Sequence, residues 1–226
     1  MLFMSGIGVL VILILISSIP VIAVFAWFRF ARYQYSPVDF SVSLLAGAAS
    51  FFPALFLQNL LTKAEVIFHS TNKWSLFAEI FIRIALTEEL SRFLLLAVLF
   101  LVIRRFRADN TTALAAGLIA GLGFAILESA VYGASNPGNA LLRAFTAAPL
   151  HGACGARVGA SAAALGNRPV PAVFRFLTAV TLHGIYNFML IIPGRLPLIT
   201  AVLIALSAFA STIVTIRGGW ILPTPD

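Results

Sequence analysis

Apolar runs of membrane-spanning length recur along the whole chain, at about 7–28, 40–62, 79–103, 112–133, 140–165, 171–192 and 196–216. At 1.5 Å of rise per helical residue, each run crosses roughly 30 Å of hydrocarbon. The breaks carry turn signals: Ser36-Pro37, Ser70-Thr71-Asn72, Asp109-Asn110, Asn136-Pro137-Gly138, Asn167-Arg168-Pro169 and Pro193-Gly194. Composition excludes a soluble fold. The chain is 61% hydrophobic and 10% charged, against roughly 25% charged in soluble domains. Water offers that much apolar surface no interior to hide in, whereas a bilayer solvates it. The expectation is an all-α fold, a polytopic transmembrane helical bundle of about seven spans. Residues 1–226 then form a single integral membrane domain with its core at about 80–190. No Lys or Arg precedes the first run, so it reads as a retained span rather than a signal peptide.

The net charge of +7 comes from residues that flank spans. Arg29, Arg32, Arg104, Arg105, Arg107, Arg168, Arg175 and Arg217 fall on one side of a seven-span topology. Lys63, Lys73, Arg143 and Arg195 fall on the other. The surplus places the first side in the cytoplasm, with the N-terminus outside and the C-terminus cytoplasmic. No basic run with interleaved aromatics appears, so nucleic acid is not an expected partner. Cys154 is the one cysteine. It supports neither a disulfide framework nor a Cys-x-x-Cys metal site, and its Gly and Ala neighbours assign it to packing. Small residues four apart, Gly117 with Gly121 and Gly155 with Gly159, predict close helix approach beside His151.

The polar residues inside these runs carry the functional argument. An ionised side chain at mid-bilayer costs about 2.5–3.5 kcal/mol on insertion scales, while a Leu returns only about 0.3–0.6 kcal/mol. Span 3 holds Glu79, Arg83, Glu88, Glu89 and Arg92; span 4 holds Glu128; span 5 holds His151 and Arg157; span 6 holds His183 and Asn187. Glu79 and Arg83, i and i+4 near a span end, read as a structural pair, and His69 reads as a solvated loop residue. Glu88 and Arg92 share a helical face, and Glu89 is turned about 100° from Glu88. His183 and Asn187 also lie one turn apart. One shared cluster would solve the burial problem on all four helices. Its chemistry suits water activation: a carboxylate takes a proton from water as it attacks a peptide carbonyl, and His or Asn donors hold the oxyanion. Alternatively, Glu and His bind a metal such as Zn2+ that makes water nucleophilic at neutral pH.

The same residues stand in a familiar order. Glu88-Glu89-Leu90-Ser91-Arg92 resembles the Glu-Glu-x-x-Lys motif of PrsW-family intramembrane proteases, and Phe124 to Glu128-Ser129 is similar to their Phe-x-x-x-Glu-Asn. Arg143, His151, Gly155 and Gly159 resemble the third motif, and His183 to Asn187 the fourth, His-x-x-x-Asp. More distantly, the set is similar to the CAAX-prenyl protease and bacteriocin-processing (CPBP) superfamily, whose last motif commonly ends in Asn. Arg92, Ser129 and Asn187 replace the Lys, Asn and Asp usual in the PrsW family. The resemblance implies an intramembrane endopeptidase of metallo- or glutamic type, in a bacterial or archaeal cytoplasmic membrane. Its implied substrate is a membrane-anchored protein such as an anti-sigma factor.

The expected roles follow. Glu88 or Glu89 activates the water, and Arg92 orients the glutamate. Glu128 shares the water or a metal, and His151 serves as ligand or proton carrier. His183 and Asn187 hold the oxyanion, while Phe124 and Arg143 contact substrate. If Zn2+ binds, its expected ligands are Glu128, His151 and His183. Two rivals use the same residues differently: a proton-coupled transporter, in which Glu and His form a relay, and a non-catalytic scaffold akin to a γ-secretase subunit. No internal repeat of the transporter kind is visible.

Overall fold

The computed structural model describes residues 6–31, 33, 35–63, 73–107, 109–134 and 137–221. Its α-helices are α1 (Gly6–Ser17), α2 (Ile19–Phe30), α3 (Pro37–Lys63), α4 (Lys73–Ala78), α5 (Thr87–Val102), α6 (Asn110–Gly133), α7 (Pro137–Phe145), α8 (Ala147–Ala164), α9 (Pro169–Ile191) and α10 (Arg195–Ile221). A π-helical stretch, Glu79–Leu86, joins α4 to α5, and a short 3-10 turn, Arg104–Arg107, follows α5. No strand occurs among the described residues. Helices satisfy their own backbone hydrogen bonds, which lipid requires. His69, Arg32, the break at 70–72 and Asn136 lie outside the described residues.

Several boundaries follow local chemistry. Asp109 caps α6 by accepting the Thr112 backbone N–H at 2.8 Å. Pro169 opens α9 in the first turn, where its missing N–H costs nothing. Gly194, at φ 129°, turns the chain between α9 and α10 in a conformation that side chains disfavour.

The span count of seven is not confirmed. α3, α6 and α9, together with Arg195–Gly219 of α10, are each long and apolar enough to cross a bilayer. The pair Gly8–Ser17 and Ile19–Phe30, bent by 41°, supplies a fifth if taken as one span. The other two expected spans are interrupted. Run 79–103 is part π-helix and carries three acids and two arginines, while run 140–165 breaks at Thr146 into α7 and α8. By length and composition, the described residues thus supply four spans, or five with the bent pair.

The core is the α6–α8 pair. In α6, 78% of the most apolar window is buried, against 28% in each of the other three single spans; a helix apolar on all sides belongs in the middle. Glycine sets the distance here. A Cβ on Gly117 would stand 2.1 Å from the Gly155 carbonyl oxygen, and one on Gly121 would stand 1.9 Å from that of His151. Backbones meet only because these side chains are absent, and packing of this kind drives helix association in lipid. α3, α5, α9 and α10 surround the pair and turn Leu94, Val98, Leu101, Val173, Leu177 and Leu203 outward, as lipid-facing surfaces do.

α3 lies against α6 along half its length. A Cβ on Gly47 would meet the Ala120 carbonyl oxygen at 1.8 Å, and one on Gly123 would meet that of Leu44 at 2.2 Å. Pro53 lies farther along α3 and removes one helical hydrogen bond there. From Phe51 onward the two helices line a cavity of ≈ 130 Å³.

Candidate active site

The buried polar residues meet. Glu88, Glu89 and Arg92 from α5, Glu128 from α6, His151 from α8 and His183 from α9 are all buried. The close α6–α8 approach sets His151 against Glu128: its Nε2 donates to Glu128 Oε2 at 2.7 Å. Its Nδ1 lies 3.4 Å from Arg92 Nη2. Arg92 is only a donor, so this partner leaves the lone pair on Nδ1 and the proton on Nε2. The His151 and His183 rings meet edge to face, with centroids 4.8 Å apart.

The two neighbouring glutamates are treated differently. Glu89 is saturated: its Oε2 accepts from Arg92 Nη1 in an ion pair, and its Oε1 accepts from His183 Nδ1 at 2.8 Å. Glu88 faces the other way. Its Oε1 accepts from Gln58 Nε2 of α3 at 3.0 Å, whereas its buried Oε2 has no hydrogen-bond partner. That oxygen lies 3.6 Å from His183 Nε2. With neutral His183 donating its Nδ1 proton to Glu89, Nε2 carries the lone pair; in the imidazolium form it carries a second N–H. Either a proton on Nε2 or a cation between the two atoms satisfies this buried pair.

The geometry departs from two expectations. Arg92 pairs with Glu89 at i+3, not with Glu88 at i+4, because Glu88 turns to the α3 side and Gln58. In the neutral form with its proton on Nδ1, His183 turns an Nε2 lone pair toward Glu88, as a metal ligand would. The donors that converge within 4.8 Å are Glu88, His151 and His183, with Glu88 in the place expected of Glu128. Glu128 is occupied instead by His151 and by an ion pair with Arg143. Arg143 also reaches Ser129 Oγ at 3.4 Å and stacks on Tyr132, its guanidinium 4.4 Å from the ring centre.

Phe124 is buried under the cluster, with Arg92 lying 4.6 Å over its ring and His151 5.2 Å from it. Asn187 is half-buried on α9, one turn past His183, and its side chain makes no hydrogen bond to a described residue. Arg157 neutralises no carboxylate; it donates to the Ala153 carbonyl (2.8 Å) and to Thr212 (3.1 Å). Glu79 and Arg83 form the expected ion pair outside the cluster. Cys154 is buried and donates weakly to the Ala179 carbonyl.

Sequence reasoning missed Gln58. An amide inside an apolar run was the available signal, but a neutral group carries a smaller burial penalty than an acid and stands out less.

The cavity between α3 and α6 ends on this cluster. Phe51, Ala54, Gln58, Glu88, Phe124 and Glu128 line its inner part. Leu55, Val131 and Tyr132 line its rim, 43%, 60% and 51% exposed. Water and a peptide bond could therefore meet Glu88 from this side.

The donor set fits a metal. Two histidines and a glutamate match the three protein ligands of a catalytic zinc site. The Glu89 carboxylate fixing His183 through its far nitrogen is the supporting contact that metal-binding histidines use, and Glu88 Oε2 is an orphaned buried acceptor.

Comparison with curated proteins and with solved structures returned no match. A family profile described as PrsW family intramembrane metalloprotease matches residues 40–214. That stretch takes in α3 to most of α10 and every residue of the cluster, and on it the chain belongs to the PrsW family of intramembrane metalloproteases.

Proposed function

We propose that this intramembrane protease cuts membrane-anchored proteins with water activated by Glu88. One observation carries the reading: the unpartnered Oε2 of Glu88, 3.6 Å from Nε2 of His183 and at the inner end of the α3–α6 cavity. Water placed there gives its proton to Glu88 while its oxygen bonds to the scissile carbonyl carbon. The proton then passes to the amide nitrogen as the C–N bond breaks, leaving a new carboxylate and a new amine. Asn187, on the His183 face of α9 and without a side-chain partner, donates to the oxyanion. Glu89 holds His183 in one tautomer, and Arg92 holds Glu89. Glu128 does the same for His151 and is itself held by Arg143.

A metal such as Zn2+ would be held by Glu88, His151 and His183, and Glu88 would then serve as its ligand in place of accepting the water's proton. When bound, the metal would polarise the carbonyl and stabilise developing negative charge. The resemblance to the PrsW motifs supports a finer substrate, a membrane-anchored anti-sigma factor. All of this rests on 1–226 acting as one membrane domain.

The test is cleavage of a membrane-anchored reporter by wild type and by folded Glu88→Ala, Glu89→Ala and His183→Ala proteins. The expectation is loss of cleavage in all three, and loss of bound metal in a Glu88→Ala, His183→Ala double variant. Full cleavage by the folded Glu88→Ala and His183→Ala proteins would refute the mechanism.

A further inference from the structure

The α3–α6 cavity is more than an access route for water. Its two walls meet tightly at Gly47, Ala120 and Gly123 and part toward Phe51, Leu55 and Gln58. The opening is therefore confined to one end of the helix pair, with Leu55, Val131 and Tyr132 on its rim and Glu88 and Glu128 inside. Its size limits what can enter. A volume of ≈ 130 Å³ takes a few waters or a short extended stretch. It cannot take an α-helix, which is about 10–12 Å across with its side chains. A peptide bond in an intact helix is also shielded and internally hydrogen-bonded, so a nucleophile reaches it only after local unwinding. Unwound backbone in lipid pays heavily for each unpaired group, whereas this cavity brings the buried acids Glu88 and Glu128 within reach of an exposed apolar rim.

Gln58 is the second element. It stands on α3, the wall opposite Glu128, and ties down one oxygen of Glu88 at 3.0 Å. The remaining oxygen is the free one. Without that amide, the Glu88 carboxylate could rotate and present either oxygen, or neither, to the water.

We propose that the scissile segment of the substrate docks, extended, in the cleft between α3 and α6, and that Gln58 is a positioning residue that aims Glu88 at it. The inference rests on the protease reading but is testable apart from it. The first experiment reads binding rather than cleavage. A photo-crosslinking benzoylphenylalanine replaces Val131 or Leu55 at the rim, or Val173 of α9 or Leu203 of α10 as lipid-facing controls, in full-length protein carrying Glu88→Gln, in membranes with the reporter. Capture is expected at Val131 and Leu55 and is expected to be weak at Val173 and Leu203. Equal capture at all four positions would overturn the dock. Rim capture with no cleavage by the unsubstituted protein would leave the dock standing and remove the protease reading instead.

The second experiment concerns Gln58→Ala. Losing one hydrogen bond that orients a reacting group lowers kcat about tenfold. KM, reporter capture, metal content and thermal midpoint are expected to stay at their original values. A fall in thermal midpoint or metal content that accounts for the lost rate, or an unchanged kcat, would overturn the positioning role.

Discussion

Glu88 and Glu89 share a peptide bond but not an environment. Glu89 faces inward among α5, α8 and α9, fully buried, with Arg92 on one oxygen and His183 on the other. Glu88, turned about 100° around the helix, reaches α3 and the cavity, and one of its oxygens is left over. The first environment is complete without a ligand and the second is not. A buried charge with all its partners fixes structure, whereas a buried acceptor lacking one is set up to receive something. The difference teaches that adjacent identical residues can divide scaffold and chemistry between them when a helix turns them to different neighbours.

Substitution should separate the two. The largest effect is expected from Glu88→Gln. Removing a general base lowers reporter cleavage by about 10²–10⁴-fold, while the thermal midpoint stays near wild type because no ion pair is broken. Glu89→Gln is expected to lose cleavage and stability together. If Glu89→Gln melted with wild type, the comparison would collapse.

Arg92→Met comes next. It strands the Glu89 carboxylate in the core, a change that costs about 3–5 kcal/mol. Chemical or thermal unfolding in detergent measures it. The Glu89→Gln, Arg92→Met double variant should recover part of the loss, since both halves of the pair are then gone.

Arg143→Met is milder. Its ion pair with Glu128 is partly open, the Arg143 side chain being 16% exposed, so the stability loss should be about 1.5–3 kcal/mol. Cleavage should fall as well, because Glu128 would then hold His151 less firmly. A loss as large as that of Arg92→Met would show the Glu128 side to be as structural as the Glu89 side.

Much of this division was out of reach of the sequence. That Glu88, Glu89, Glu128, His151 and His183 converge was legible, because lipid punishes scattered charges and the i, i+4 spacings set their faces. The glycine spacing also foretold the α6–α8 approach. Spacing could not say which acid Arg92 would choose, because i+3 and i+4 partners are both within reach and the choice depends on what α3 offers Glu88. Gln58 lies thirty residues away on another helix, and no local pattern links the two. The interrupted spans were hidden for another reason. Ile80, Phe81, Ile82 and Ile84 are apolar on every side, so a change in helical pitch leaves no mark on their periodicity.

The π-helical stretch Glu79–Leu86, which ends two residues before Glu88, bears on how this region tolerates length changes. A π-bulge amounts to an α-helix holding a surplus residue. Deleting one residue there should let the stretch relax to ordinary pitch while both glutamates keep their bearings. The same deletion within α6 would swing everything beyond it by about 100°, sending Glu128 away from His151. Insertions and deletions in this family should accordingly gather just ahead of the paired acids and be scarce in the central helix.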